Sequence, residues 1–173
     1  LVGSEMCIRD RLISGGTRTI EATVTVFSLE GSVIATTTRS IPALQQVDID
    51  IHSLVGRPDT YGVVRVDFND REPGATLMGR MSHYRSDNDG TYSFAFAREL
   101  RNPSRGVTFS TANTFDPQAQ GFQVPNWAEL VNLDNVPRVF SHNIYSQDGT
   151  LRKSSLFVLA PLGARDMQAG HEY

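Results

Sequence analysis

Ile20-Glu21-Ala22-Thr23-Val24-Thr25-Val26 decides how this chain is read. Ile20, Ala22, Val24 and Val26 alternate with Glu21, Thr23 and Thr25. A period of two is that of a strand with one face buried and one face wet. Downstream, Leu29-Glu30-Gly31-Ser32 is a turn and the β-branched run 33–38 returns from it. Val47, Ile49 and Ile51 alternate with Asp48, Asp50 and His52. Residues 61–68, 75–85, 91–98 and 107–111 read as further strands. They are separated by Asn69-Asp70-Arg71-Glu72-Pro73-Gly74, by Asp87-Asn88-Asp89-Gly90 and by Asn102-Pro103. Short strands between turn signals, with no ten-residue helical pattern, predict an all-β fold, an antiparallel β-sandwich.

The turn has a second copy. With the chain shifted by 118 positions, Phe27-Ser28-Leu29-Glu30-Gly31-Ser32-Val33 lies over Tyr145-Ser146-Gln147-Asp148-Gly149-Thr150-Leu151. Further along, Leu44 meets Leu162 and Asp48 meets Asp166. Trp127-Ala128-Glu129-Leu130-Val131-Asn132 lies over positions 9–14. The expectation is a tandem repeat: a first unit at 12–120 and the start of a second at 121–173, truncated after about four strands. A sandwich left short in this way exposes an unpaired sheet edge.

This strand pattern, with the paired segments VFSLEGS and IYSQDGT, resembles the immunoglobulin-like or fibronectin-like sandwich repeats of bacterial secreted and cell-surface proteins. The resemblance spans most of 12–173. It implies a secreted or cell-surface location and neighbouring repeats of the same chain as partners. The Cys…Trp…Cys signature of antibody domains is absent, since Trp127 has no disulfide beside it.

Leu1 to Asp10 back-translates as CTC GTG GGC TCG GAG ATG TGT ATA AGA GAC. That string resembles a transposon-end adapter from shotgun sequencing libraries, and Arg11 completes the junction. Residues 1–11 are therefore expected to be a non-native segment, to be set aside before the fold is reasoned about. The native part then starts near Leu12, inside a cut reading frame of metagenomic type. Cys7, the only cysteine, leaves the argument with that segment.

The formal net charge is −3, and one lysine, Lys153, stands against fifteen arginines. No basic patch invites nucleic acid. The longest apolar run, 156–162, contains Pro161 and is too short to span a bilayer.

Three groups of residues carry candidate chemistry. Tyr92, Phe94 and Phe96 recur at period two, and with Phe115 and Trp127 they are the candidate aromatic contacts for a sugar or protein ligand; the plainer reading is a sandwich core. Asp87, Asp89 and Asp70 are candidate calcium ligands, provided the two acidic loops meet. Position 12 of an EF-hand count from Asp87 is Arg98, so a hairpin turn explains 87–90 without calcium. The stretch 109–127 is long, irregular and holds four aromatics, Phe109, Phe115, Phe122 and Trp127, as a linker or a binding surface does. His142 falls where the first unit has Val24. His52, His83 and His171 make no ligand pair at metal spacing. Neither a Gly-x-Ser-x-Gly elbow nor a phosphate-cradling glycine loop occurs.

The sequence therefore predicts a non-catalytic structural or adhesive module, with no required cofactor and no membrane span. The alternative is a carbohydrate-binding accessory domain of a secreted hydrolase, touching cell-surface polysaccharide. An enzyme with its site on strand-connecting loops is the third reading.

Overall fold

A computed structural model describes residues 6–56, 62–69, 71, 73–86, 92–100 and 126–169. In chain order these form β1 (Met6–Ser14), β2 (Ile20–Ser28), β3 (Val33–Ile41), β4 (Gln46–Asp50), α1 (Ile51–Val55), β5 (Gly62–Phe68), β6 (Leu77–Ser86), β7 (Tyr92–Glu99), β8 (Asn126–Val131), β9 (Arg138–Tyr145), β10 (Leu151–Leu159) and β11 (Ala164–Ala169). Among the described residues every strand pairing is antiparallel and the only helix is one short turn, as in an all-β fold. The expected strand at 107–111 lies outside the described residues. The chain divides into two units. Unit 1 is Leu1–Ser28 with Val33–Asn102, and unit 2 is Leu29–Ser32 with Pro103–Tyr173.

Unit 1 holds two sheets, ordered β4-β1-β6-β7 and β3-β2-β5. Their apolar faces share one core. Ile20, Ala22, Val24 and Val26 of β2 and Ile41 of β3 are buried together with Leu12 of β1 and Ile49 of β4. Each large member stabilises the fold by about 1.5–3 kcal/mol through the water it excludes. The alternation of 20–26 therefore turns its apolar side inward, as its period demands. The alternation of Val47, Ile49 and Ile51 does not run on as strand. Asp50 ends it by capping α1: its carboxylate accepts from the Ser53 N–H at 3.2 Å and from the Ser53 hydroxyl at 2.8 Å. Gly56, left-handed at φ 64°, closes the single turn, and glycine takes that conformation without strain.

Residues 6–11 lie in β1, paired with β6 throughout and with β4 from Arg9 onward. A ladder of backbone N–H and C=O groups accepts almost any side chain, which is why this segment pairs as it does. Arg11 makes a two-pronged ion pair with Asp48, at 2.7 and 3.0 Å. The pair is half exposed, so solvent screening leaves it little net effect on stability. Asp10 is the misfit. It is fully buried, and neither carboxylate oxygen has a hydrogen-bond partner. Loss of solvent pushes its pKa from 3.8 up to about 7.

Unit 2 holds two-stranded sheets β8-β11 and β9-β10. Their registers match unit 1 at a constant offset of 118. Leu12 pairs with Val47, and Leu130 with Arg165. Ile20 pairs with Ile41, and Arg138 with Leu159; Val24 pairs with Thr37, and His142 with Ser155. The β2–β3 ladder slips between Val26 and Phe27, and the β9–β10 ladder slips at the matching place, between Lys153 and Leu151. Turns closed by Gln45 N–H to the Pro42 carbonyl and by Gly163 N–H to the Ala160 carbonyl also correspond. Each places a leucine, Leu44 or Leu162, at φ 57°. Gly31 and Gly149, at φ 87° and 84°, hold equivalent hairpin positions.

Two outcomes follow for unit 1. The unfolded Asp10 carboxyl ionises from about pH 4, whereas the folded one stays protonated until about 7. Destabilisation therefore grows between those values, is complete above 7 and is absent below 4. Roughly three pKa units correspond to about 4 kcal/mol. Asp10→Ala should raise stability by several kcal/mol at pH 8 and by much less at pH 4 in denaturant titrations followed by circular dichroism. Leu44 is 75 % exposed, so Leu44→Gly removes backbone strain and little packing; it should gain about 1 kcal/mol. A loss in the same titration would show that this side chain is needed where it stands.

Candidate functional site

The aromatic candidates fall in both units. Tyr92, Phe94 and Phe96 lie on β7, the edge strand beside β6, opposite Ser86, Arg85 and His83. Between the first two, β7 advances two residues for one on β6, so the ladder is irregular there. Trp127 lies on β8, opposite Gln168, in unit 2. Phe115 and the proposed calcium ligands Asp70, Asp87 and Asp89 lie outside the described residues, as does most of 109–127. Among the described residues no three His, Cys, Asp or Glu side chains gather as a metal site would require. Among the described residues no helix is long and apolar enough to cross a membrane.

The β9–β10 hairpin carries the most unusual surface. On its outer face Val139 pairs with Val158, and Leu156 pairs with Ser141. Val139, Leu156 and Val158 are 70 %, 75 % and 63 % exposed. At the matching positions unit 1 has Glu21, Thr38 and Ser40, the polar outer face expected of a wet sheet. Tyr145 and Leu151, also exposed, form a second apolar pair at the turn, separated from the first group by the Ser154 hydroxyl that donates to Asn143 at 2.7 Å. Val139, Leu156 and Val158 together are the kind of clustered apolar surface that marks an interaction site more often than scattered single residues do.

The opposite face is also unlike unit 1. Phe140 and Phe157 stack with centroids 6.0 Å apart and planes at 16°. The Arg165 guanidinium lies 5.0 Å from the centre of the Phe157 ring, a cation–π contact. The matching residues in unit 1 are Ala22, Arg39 and Val47. Phe140, His142 and Ile144 are only half buried, whereas Ala22, Val24 and Val26 are buried. Among the described residues of unit 2, the fully buried apolar side chains are Leu159 and Ala164. Sequence reasoning passed over the Phe140–Phe157–Arg165 stack. Its signal was present in the 118 offset, which sets two phenylalanines over an alanine and an arginine.

Polar groups hold the ends of this hairpin. Asn132 is fully buried and donates to the carbonyls of Val136, Leu159 and Ala160 at 2.9, 3.3 and 2.8 Å. Its side-chain oxygen accepts from Asp134 N–H at 3.1 Å. It thereby ties the β8–β9 connection to the end of β10. Ser14, at the matching place, makes the smaller version, from its hydroxyl to the Arg18 carbonyl at 3.3 Å. At the β9–β10 turn, the Asp148 carboxylate accepts from the Ser146 hydroxyl at 2.5 Å and the Thr150 N–H at 3.0 Å. Those bonds, the Ser146 hydroxyl first, hold its pKa down at about 2. In β8–β11, Glu129 faces Asp166 where unit 1 sets Arg11 against Asp48. Like charges directly opposite weaken a ladder.

No protein-family model, curated protein or solved structure matches this chain.

The only tryptophan, Trp127, lies in unit 2, so its fluorescence follows that unit. Asn132→Leu should lower unit 2 stability by about 2 kcal/mol, because the buried Leu159 carbonyl and the part-buried carbonyls of Val136 and Ala160 lose a donor. Asn132→Ser, which can imitate Ser14, should cost about half as much. Equal losses in urea titrations read by Trp127 would remove Asn132 from this bridging role.

Proposed function

We propose that the protein is a tandem pair of immunoglobulin-like β-sandwich units, acting as a structural or adhesive, non-catalytic module of a larger secreted or cell-surface protein. The observation that carries this reading is the repeated register: the β8–β11 and β9–β10 ladders reproduce those of β1–β4 and β2–β3, with the same hairpin irregularity and the same left-handed leucines, 118 residues apart. Repetition of one rigid unit is how extended spacers and adhesive stalks are built. The shared core of the two unit 1 sheets supports the sandwich architecture. The four strands of unit 2, β8 to β11, match β1 to β4 of unit 1 in order and in pairing, which supports the tandem reading. The orphaned carboxyl of Asp10 supports a foreign origin for residues 1–11, since unit 2 has Ala128 at that strand position.

The second reading is a carbohydrate-binding accessory domain. The half-buried Phe140–Phe157 stack with Arg165 favours it, because flat rings beside a cation and hydroxyls suit a sugar face. Trp127 of β8, in the same unit, and Phe115 would be further contacts of that reading, and Tyr92, Phe94 and Phe96 of β7 would belong to a separate contact in unit 1.

Mechanical and binding measurements separate the two. Pulled between terminal handles, the chain should resist until the β1 ladder breaks in a discrete event. Smooth extension without such an event would end the structural reading. Against soluble oligosaccharides of cellulose, chitin and xylan, the melting temperature should stay constant. A saturable rise abolished by Phe157→Ala would establish the carbohydrate reading instead.

A further inference from the structure

Strand β2 is hydrogen-bonded along both edges, by β3 on one side and β5 on the other. Strand β9 repeats β2 in its pairing with the hairpin partner, yet among the described residues it pairs with β10 alone. We infer that the edge of β9 facing away from β10 is an acceptor for one antiparallel strand of the β5 pattern, an extended segment with apolar residues at alternate positions and glycine at its start. The inference rests on the tandem-unit reading for its choice of occupant.

Unit 1 supplies the register. Ser28 pairs with Gly62, Val26 with Val64, Val24 with Val66 and Ala22 with Phe68. Carried forward by 118, the same ladder sets the incoming glycine against Ser146. Its apolar residues then fall against Ile144, His142 and Phe140. Those are the half-buried side chains of β9, whereas their unit 1 counterparts beside β5 are buried. The polar positions, Arg65 and Asp67 in β5, would lie beside Asn143 and Ser141. Glycine is demanded by the close approach at that end: a Cβ on Gly62 would come within 2.0 Å of the Phe27 carbonyl oxygen, and Tyr145 is the matching residue of β9. Main-chain bonds supply affinity in such strand addition, and alternate side chains supply specificity.

The probe is a fluorescent peptide with the sequence of residues 61–69, Tyr-Gly-Val-Val-Arg-Val-Asp-Phe-Asn, titrated into the full chain. Saturable one-to-one binding is expected, with slowed amide exchange over 138–145. The doubly substituted peptide Val64→Asp, Val66→Asp should not bind, and Gly62→Ala in the peptide should bind several-fold more weakly. Absence of saturable binding, equal binding by a scrambled peptide, or protection confined to other strands would overturn the inference. So would protection, in the peptide-free chain, of the β9 amides that face away from β10, whether the edge is taken by a second copy or from within the same molecule. The pulling experiment does not depend on this edge, so failure of one reading leaves the other open to its own test.

Discussion

A buried strand must satisfy its backbone on both sides. Unit 1 is organised around two strands that do so: β1 between β4 and β6, and β2 between β3 and β5. A buried N–H or C=O left without a partner costs roughly 1–3 kcal/mol. Two doubly paired strands at the centre of two sheets remove that cost along their length. They also hold the apolar faces in register, so that Leu12 and Val24 meet in one core. In unit 2 the matching strands, β8 and β9, each have one neighbour among the described residues. The half-buried Phe140, His142 and Ile144 follow from that difference, and so does the weight carried by polar ties such as Asn132.

The same constraint explains what could be read in advance. The strand at 20–26 declared its inner face, because alternation and burial there have one cause. The hairpin turn at Leu29–Ser32 and its copy at 147–150 were visible because positive φ calls for Gly31 and Gly149. The end of β4 was not visible. Ile51 continues the alternation, and only the bonds from Ser53 to Asp50 show that the chain has turned into a helix. The pairing of residues 6–11 was equally hidden, since a ladder depends on backbone atoms. Of the candidate site, β7 and β8 hold Tyr92, Phe94, Phe96 and Trp127, but the Phe140–Phe157–Arg165 stack depends on contacts between strands, which no local pattern reveals.

Divergence between the two units has physical content. The two ladders of unit 2 coincide with the β1–β4 and β2–β3 ladders of unit 1, while the side chains on both faces of the hairpin change character: Val24 to His142, Ala22 to Phe140, Glu21 to Val139. Hydrogen-bonded registers and turn conformations persist because they are shared by all residues in the ladder. Face chemistry answers to whatever lies next to the sheet, so it is the face of β9–β10, more than its backbone, that carries information about a partner.

The left-handed leucines bear on how each unit opens. Leu44 and Leu162 sit where the chain leaves β3 for β4 and β10 for β11, crossing from one sheet to the other. β4 is short and lies at the edge of its sheet, and it is entered through a strained turn. Local opening favours segments with few neighbours and stored strain. The outermost strand therefore has the lowest threshold for release, with the remaining ladder closed behind it. Because the strain recurs at Leu162, β11 is hinged to β10 by the same joint, and both units are built to loosen first at a matching corner.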